Sequence, residues 1–360
     1  MENSVHHYDW CYISGRVNIL ECSLLSSNFF ERLLSTDDFK DVLANMNNSP
    51  LKAYFARVKH LYEFEALLDE YYYNRLDEIR SLSPDSVVCD FFLLRNDVHN
   101  LKRFIKCKIL GASVDKLFRG TMSRDEWGDV WQDKSTALPE IFRESVSFVK
   151  KVVLQHNHNQ ITPHISPPLQ GGDEGGVKKE LLPFVIDLII DGAYLRYVED
   201  YCKKIEVEII KRYLEIYQLV KGLEIIRRAI SLKLDMNLLS QYFMEGFDKG
   251  HVFHKLAKNT VWASEKTLCD ILVNTHCDTF FSTLTKNLFP KISFRYEVAT
   301  DNYLLDMLRP AKYIPFGPER VFGYLCGLTT EVFNLKLLLG GKVHRIENNL
   351  LRERLRKTYA

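Results

Sequence analysis

Residues able to do chemistry are thinly spread along this chain. His251 and His254 in "HVFH" sit one helical turn apart and could share a face. "CDILVNTHC" adds Cys269, His276 and Cys277. Together they suggest a metal centre, but no CxxC pair occurs, and the Cys269–Cys277 spacing matches no common zinc arrangement. His156, His158 and His164 lie in a Pro/Gly-rich stretch that offers no fixed geometry for a metal. "LLGGKVH" contains Gly-Gly-Lys. A phosphate loop needs a further glycine where Lys336 stands and Ser or Thr where Val343 stands, and it opens a helix rather than closing one. No GxSxG and no local Cys/His signature marks a nucleophile. The expectation is no catalytic residue, no metal and no cofactor. For a helical enzyme, His251, His254 and Cys269 are the first residues to inspect.

Two basic stretches remain. "RNDVHNLKRFIKCKILG" (95–111) carries Lys102, Arg103, Lys106 and Lys108. Such a run either grips phosphate or forms the wet side of a structural helix. The chain as a whole has 48 Lys+Arg against 47 Asp+Glu, so it lacks the basic excess of a dedicated nucleic-acid binder. Leu94, Val98, Leu101, Ile105 and Ile109 make one apolar stripe, which puts Lys102, Arg103 and Lys106 on the opposite, solvated or partner-facing side. In the tail "LLRERLRKTYA", Arg352, Arg354, Arg356 and Lys357 meet only Glu353. They complement a helix C-terminus or offer a docking surface to an acidic partner.

The elements that position these residues read as helices. One long helix is expected from Ser49-Pro50 to Pro84, another over 207–233, and a third from Gly317-Pro318 to a stop at Gly340-Gly341. In the third, Val321, Leu325, Leu328, Val332, Leu335 and Leu339 repeat by four and three. Shorter helices fit "DDFKDVLANM" and "EIFRESVSFVKKVVL". "SVVCDFFLL" (86–94) has strand-like composition but runs into a helical pattern, so the class is all-α. Residues 156–176 read as a flexible insertion. The opening "MENSVHHYDW" lacks a signal-peptide pattern, and Asp187 and Asp191 break the apolar run 181–195 short of a membrane span. The eight cysteines, without an extracellular cue, predict reduced thiols in the cytoplasm.

The chain also repeats itself. "DVHNLKRFIK" (97–106) matches "EVFNLKLLLG" (331–340), so Asp97 and Asn100 share a spacing with Glu331 and Asn334. A fainter copy, "LVKGLEIIRR" (219–228), has Gly222 where asparagine would stand. Three helical units follow: 1–120, 121–240 with the 156–176 insertion, and 241–360.

These residues resemble a known family. "FGPERVFGYLCGLTTEVFNLKLLLGGKVHRIENNLLRERLRKTY" is similar to the C-terminal signature of the A-type/V-type ATP synthase C subunits, relatives of the V-ATPase d subunit (the AC39 family). Gly317, Pro318, Glu319, Glu331, Asn334, Gly341, Lys342, Arg352, Glu353, Arg354, Leu355 and Tyr359 fall on it. "YISGRVNILECSLLSSNFFERLL" resembles the family's opening helix. Gly222 and the 156–176 loop depart from the family pattern. The resemblance implies three similar units with pseudo-threefold symmetry, forming a funnel-like socket. It implies a non-catalytic central-stalk rotor subunit, one copy per complex, peripheral on the cytoplasmic face. Its partners would be the D/F-type central shaft and the membrane rotor ring, with no nucleic acid. The alternative is a helical binding scaffold that contacts nucleic acid through its local basic faces.

Overall fold

The computed structural model describes residues 7–36, 39–58, 61–114, 116–123, 125–132, 138–161, 182–231, 236–249, 251–258 and 293–360. Among them the regular structure is helical and no strand occurs, as the missing period-two alternation predicts. The chain packs as two compact units. The first comprises Met1–Asp90, Ile205–Tyr217 and Ala263–Ala360; the second comprises Phe91–Lys204 and Gln218–Trp262.

In the first unit, α1 (Cys11–Glu21), α2 (Ser27–Ser35) and α3 (Phe39–Asn47) precede a short α4 (Lys52–Phe55) and a longer α5 (Phe64–Leu82). The single helix expected from Ser49 to Pro84 is therefore broken. Tertiary contacts explain the break: α4 lies against α5, with the Tyr54 and Tyr71 rings 5.4 Å apart and Arg57 paired with Glu70 at 3.0 Å. A continuous helix would hold Tyr54 and Tyr71 about 25 Å apart at 1.5 Å per residue.

The chain returns to this unit near its end. There α12 (Ser293–Leu308), a 3-10 turn (Arg309–Tyr313), α13 (Pro318–Val343) and α14 (Asn348–Arg354) follow in order. The α13 stripe from Val321 to Leu339 is buried at every predicted position. Each such side chain contributes roughly 1.5–3 kcal/mol on leaving water. Helix α13 packs on α1 and α5, where Ile13, Val17, Leu68, Leu76 and Ile79 are also buried, so chain-distant helices share one core.

"SVVCDFFLL" opens a helix, α6 (Val87–Leu110), instead of forming a strand, and from Phe91 onward this helix belongs to the second unit. Next come α7 (Glu126–Val130), α8 (Glu140–Ile161) and α9 (Leu182–Lys204); α10 (Glu208–Ser231) belongs to the first unit up to Tyr217 and to the second from Gln218. Helix α8 runs five residues past the expected start of the insertion; the rest of 156–176 lies outside the described residues. A π-helical turn (Leu239–Phe243) and α11 (Val252–Lys258) complete the unit. The π turn sits on α9, where Gly192 lets the Phe243 backbone carbonyl approach closely.

Candidate partner-docking site

The basic tail is held by α13, so its geometry starts there. Gly317 donates its N–H to Ser14 Oγ at 3.2 Å, and a Cβ at Gly317 would lie 2.5 Å from Glu319 Oε2. Glycine is favoured there because the backbone stands at φ 157°, a conformation that other residues rarely adopt. Arg320 is almost buried and donates to Ile314 O at 2.9 Å, Glu21 Oε2 at 2.9 Å and Asn18 Oδ1. It thereby ties α1 to the start of α13. Burial pushes the Glu21 carboxyl above its ordinary range, against the lowering pull of Arg320 and Lys312.

Gly323 and Gly327 then leave a groove along one face of α13. The C-terminal Tyr359 fills it, 2% exposed. A Cβ at Gly323 would fall 2.5 Å from the Tyr359 hydroxyl, and one at Gly327 would fall 2.6 Å from Tyr359 Cβ. Residues 355–360 form no helix. Arg352 and Arg354 lie in the last turn of α14, near its C-terminal dipole, while Arg356 and Lys357 lie beyond the helix. The tail is strapped down by Arg309 Nη2 to Thr358 O at 2.7 Å, Lys357 Nζ to Asp306 Oδ2 at 2.6 Å, and Lys312 to Tyr359 O.

Asn334 grips the same strap. Its Nδ2 donates to Arg356 O at 2.9 Å and its Oδ1 accepts from Arg356 N at 3.0 Å. The side-chain amide thus replaces a strand partner, satisfying both backbone groups of one residue. The Arg356 guanidinium lies 4.1 Å from the centre of the Phe333 ring and pairs with Asp301 at 3.0 Å, leaving its side chain 7% exposed. Arg352 pairs with Glu31 at 3.1 Å, and Arg354 sits over the Phe294 ring at 5.0 Å; both reach solvent. Among the three arginines, two face outward and Arg356 locks the tail. Exposed Ile346 and Leu350 lie beside them in sequence.

Glu331 is one turn before Asn334 and is also buried. It accepts from Leu25 N at 2.5 Å and from the Tyr71 hydroxyl at 3.0 Å. Burial pushes its carboxyl up to about 7, although both hydrogen bonds and the Arg75 charge oppose the rise.

The second unit repeats the clamp. On α6, Asn100 Nδ2 donates to Phe118 O at 2.7 Å and Oδ1 accepts from Phe118 N at 2.8 Å. Asp97 Oδ2 accepts from Thr121 N at 2.8 Å and Thr121 Oγ1 at 2.6 Å. The parallel extends one residue further. His99 stacks edge-on against the Phe118 ring at 5.0 Å, as Phe333 stacks on Arg356. At the third position, Gly222 leaves room for the Phe253 ring, which a Cβ would strike. An aromatic side chain occupies the space that an asparagine clamp would need.

Two lysines on the basic face of α6 are neutralised within their own unit. Lys106 pairs with Asp187 at 2.6 Å and Lys102 pairs with Asp191. The two aspartates that interrupt the apolar run 181–195 are therefore counter-ions for the two lysines. Burial, then the nearby Lys102, Arg103 and Lys106 charges, lower the His99 pKa. His251 packs between the Phe247 and Phe253 rings at 4.7 and 4.6 Å, and burial lowers its pKa too. His254 Nε2 lies 3.4 Å from Phe247 O. Among the described residues no three His, Cys, Asp or Glu side chains gather around a metal-sized space; Cys269, His276 and Cys277 lie outside those residues. An open groove of about 400 Å³ in the second unit is lined by Val130, Leu138, Arg143, Ser147, Phe148 and Lys151, among others, and by neither histidine. Lys342 of the Gly-Gly-Lys run donates to Leu34 O at 2.6 Å and Asn348 Oδ1 at 2.8 Å, joining three elements.

Sequence reasoning missed Arg320, Tyr71 and the Tyr359 groove. The signal for the groove was present: Gly323 and Gly327 are four apart and share one helix face.

No helix of the described residues is long and apolar enough to cross a membrane. A family model described as "ATP synthase (C/AC39) subunit" matches residues 13–354. The chain is similar to the C subunit of the A-type ATP synthase of Methanocaldococcus jannaschii, at 22% identity over 361 residues, covering 96% of this chain and 86% of the relative. The match includes the Glu331–Asn334 helix, the Arg320 hub and the α6 clamp, and the chain belongs to the ATP synthase (C/AC39) subunit family.

Proposed function

We propose that the chain is the non-catalytic central-stalk rotor subunit of a V/A-type rotary ATPase. It couples the D/F-type central shaft to the membrane rotor ring for ATP-linked transport of protons or sodium ions. The family match over residues 13–354 carries this reading. A torque-transmitting part must be stiff. The strapped α13 supports that: it is buried along its length and pinned at both ends, by Arg320 at its start and by Asn334 and Lys342 towards its end. Close-packed interiors of this kind resist deformation.

Arg352 and Arg354 contact a partner on the outward face of α14, and Arg356 fixes the segment that presents them. Three similar units, 1–120, 121–240 and 241–360, surround the socket; the repeated clamps at Asn100 and Asn334 support that repetition. One copy serves each complex, held peripherally on the cytoplasmic face. The ion pairs of Lys102 and Lys106 disfavour the alternative nucleic-acid scaffold. Affinity purification of the tagged chain from membranes tests the proposal. Recovery of shaft and ring subunits is expected; purification without either one refutes it.

A further inference from the structure

Glu331 is a carboxylic acid sealed inside the first unit, at a junction of three elements. It stands on α13, takes a hydrogen bond from Leu25 in the α1–α2 link, and takes another from Tyr71 on α5. Both donors are uncharged, and no ion pair reaches it among the described residues. The cation that faces it from α5, Arg75, is turned to Glu78 at 3.0 Å. Two turns earlier on α13, the Tyr324 hydroxyl is buried without a hydrogen-bond partner and interacts electrostatically with Tyr71 and Glu331. Glu21 and Glu78 add negative charge on Tyr324 from α1 and α5. A buried carboxylate without a counter-ion carries a large desolvation cost, and adding one proton removes it.

We propose that Glu331 is a proton-operated latch that tightens the contact of the α1–α2 link and α5 with α13 when it is neutral and loosens it when it ionises. In the ionised form the carboxylate accepts from Leu25 N–H and Tyr71 O–H. In the neutral form one solvent proton is taken up by Oε1, which donates to the Tyr71 oxygen, and the Tyr71 O–H turns away from the carboxyl. Leu25 N–H keeps its bond to Oε2 throughout.

The sign of the effect follows from which state holds the proton. With the folded group titrating at about 7 and the unfolded group at 4.5, the folded state binds more protons between those values. The latch's stabilisation is fully present below the unfolded value and is lost as pH rises through about 7.

Denaturant unfolding of the full chain tests this, comparing wild type with Glu331→Gln. The expected result is that the wild-type unfolding constant rises relative to that of the variant by up to about a hundredfold between roughly pH 5 and 8. Parallel pH profiles overturn the proposal. A second measurement needs no variant: the Leu25 amide resonance of leucine-labelled wild type. It should titrate with a midpoint near 7; a flat response over the same range overturns the latch. Both readouts concern this chain alone, so their failure leaves the coupling role untouched.

Discussion

Asn334 replaces a strand partner with a single side chain. Its amide closes both backbone groups of Arg356, and Asn100 does the same for Phe118. Asn334→Ala would leave a buried N–H and C=O unpaired and should cost about 2 kcal/mol or more in denaturant unfolding. Asn334→Asp keeps the acceptor but loses the donor and adds a buried charge, so it should be no milder. A loss near zero for Asn334→Ala would mean that the strap is not held there. The spacing of Asp97–Asn100 and Glu331–Asn334 is visible in the amino-acid string. The function of the asparagines is not, because their partners lie 18 and 22 residues away in non-helical backbone. The basic residues show the same limit. Lys102 and Lys106 look like a free cationic face until Asp191 and Asp187 are brought beside them.

At the scale of elements, periodicity located α13 well but misjudged its end. Gly340-Gly341 reads as a stop, yet the helix continues to Val343. Gly341 is there because Leu351 of α14 presses against it. The true end is a 6→1 bond from Ile346 N to Gly341 O at 2.8 Å, with Arg345 at φ 54°. That left-handed position favours glycine. Arg345→Gly should therefore raise stability by up to about 1 kcal/mol, read as a higher denaturation midpoint. The opposite holds for Gly327→Ala. Its new methyl would meet Tyr359 Cβ and force the strap off α13, costing roughly 1–3 kcal/mol. Increased proteolysis at the C-terminus should accompany that loss. If the tail of Gly327→Ala is as protected as in wild type, the groove does not hold it.

For the whole molecule, the consequence of the strap is that the outward arginines are presented on a fixed surface. Arg352→Glu combined with Arg354→Glu should leave the fold intact, since surface ion pairs contribute about 0–1 kcal/mol each. The same pair of changes should sharply reduce recovery of partner subunits in the membrane pull-down. Unchanged recovery would remove α14 from the interface while leaving the family membership untouched. By itself the sequence determined the all-helical class, the buried stripe of α13, the repeated acid–asparagine spacing and the family. These are properties of local periodicity and of short motifs. Only the tertiary structure decided that α4 folds back onto α5, that the tail lies extended in a glycine groove, and that Glu331 reaches Leu25 across 306 residues. Each of those outcomes depends on surfaces that meet through folding, and neighbours in sequence carry no record of which distant side chain will arrive against them.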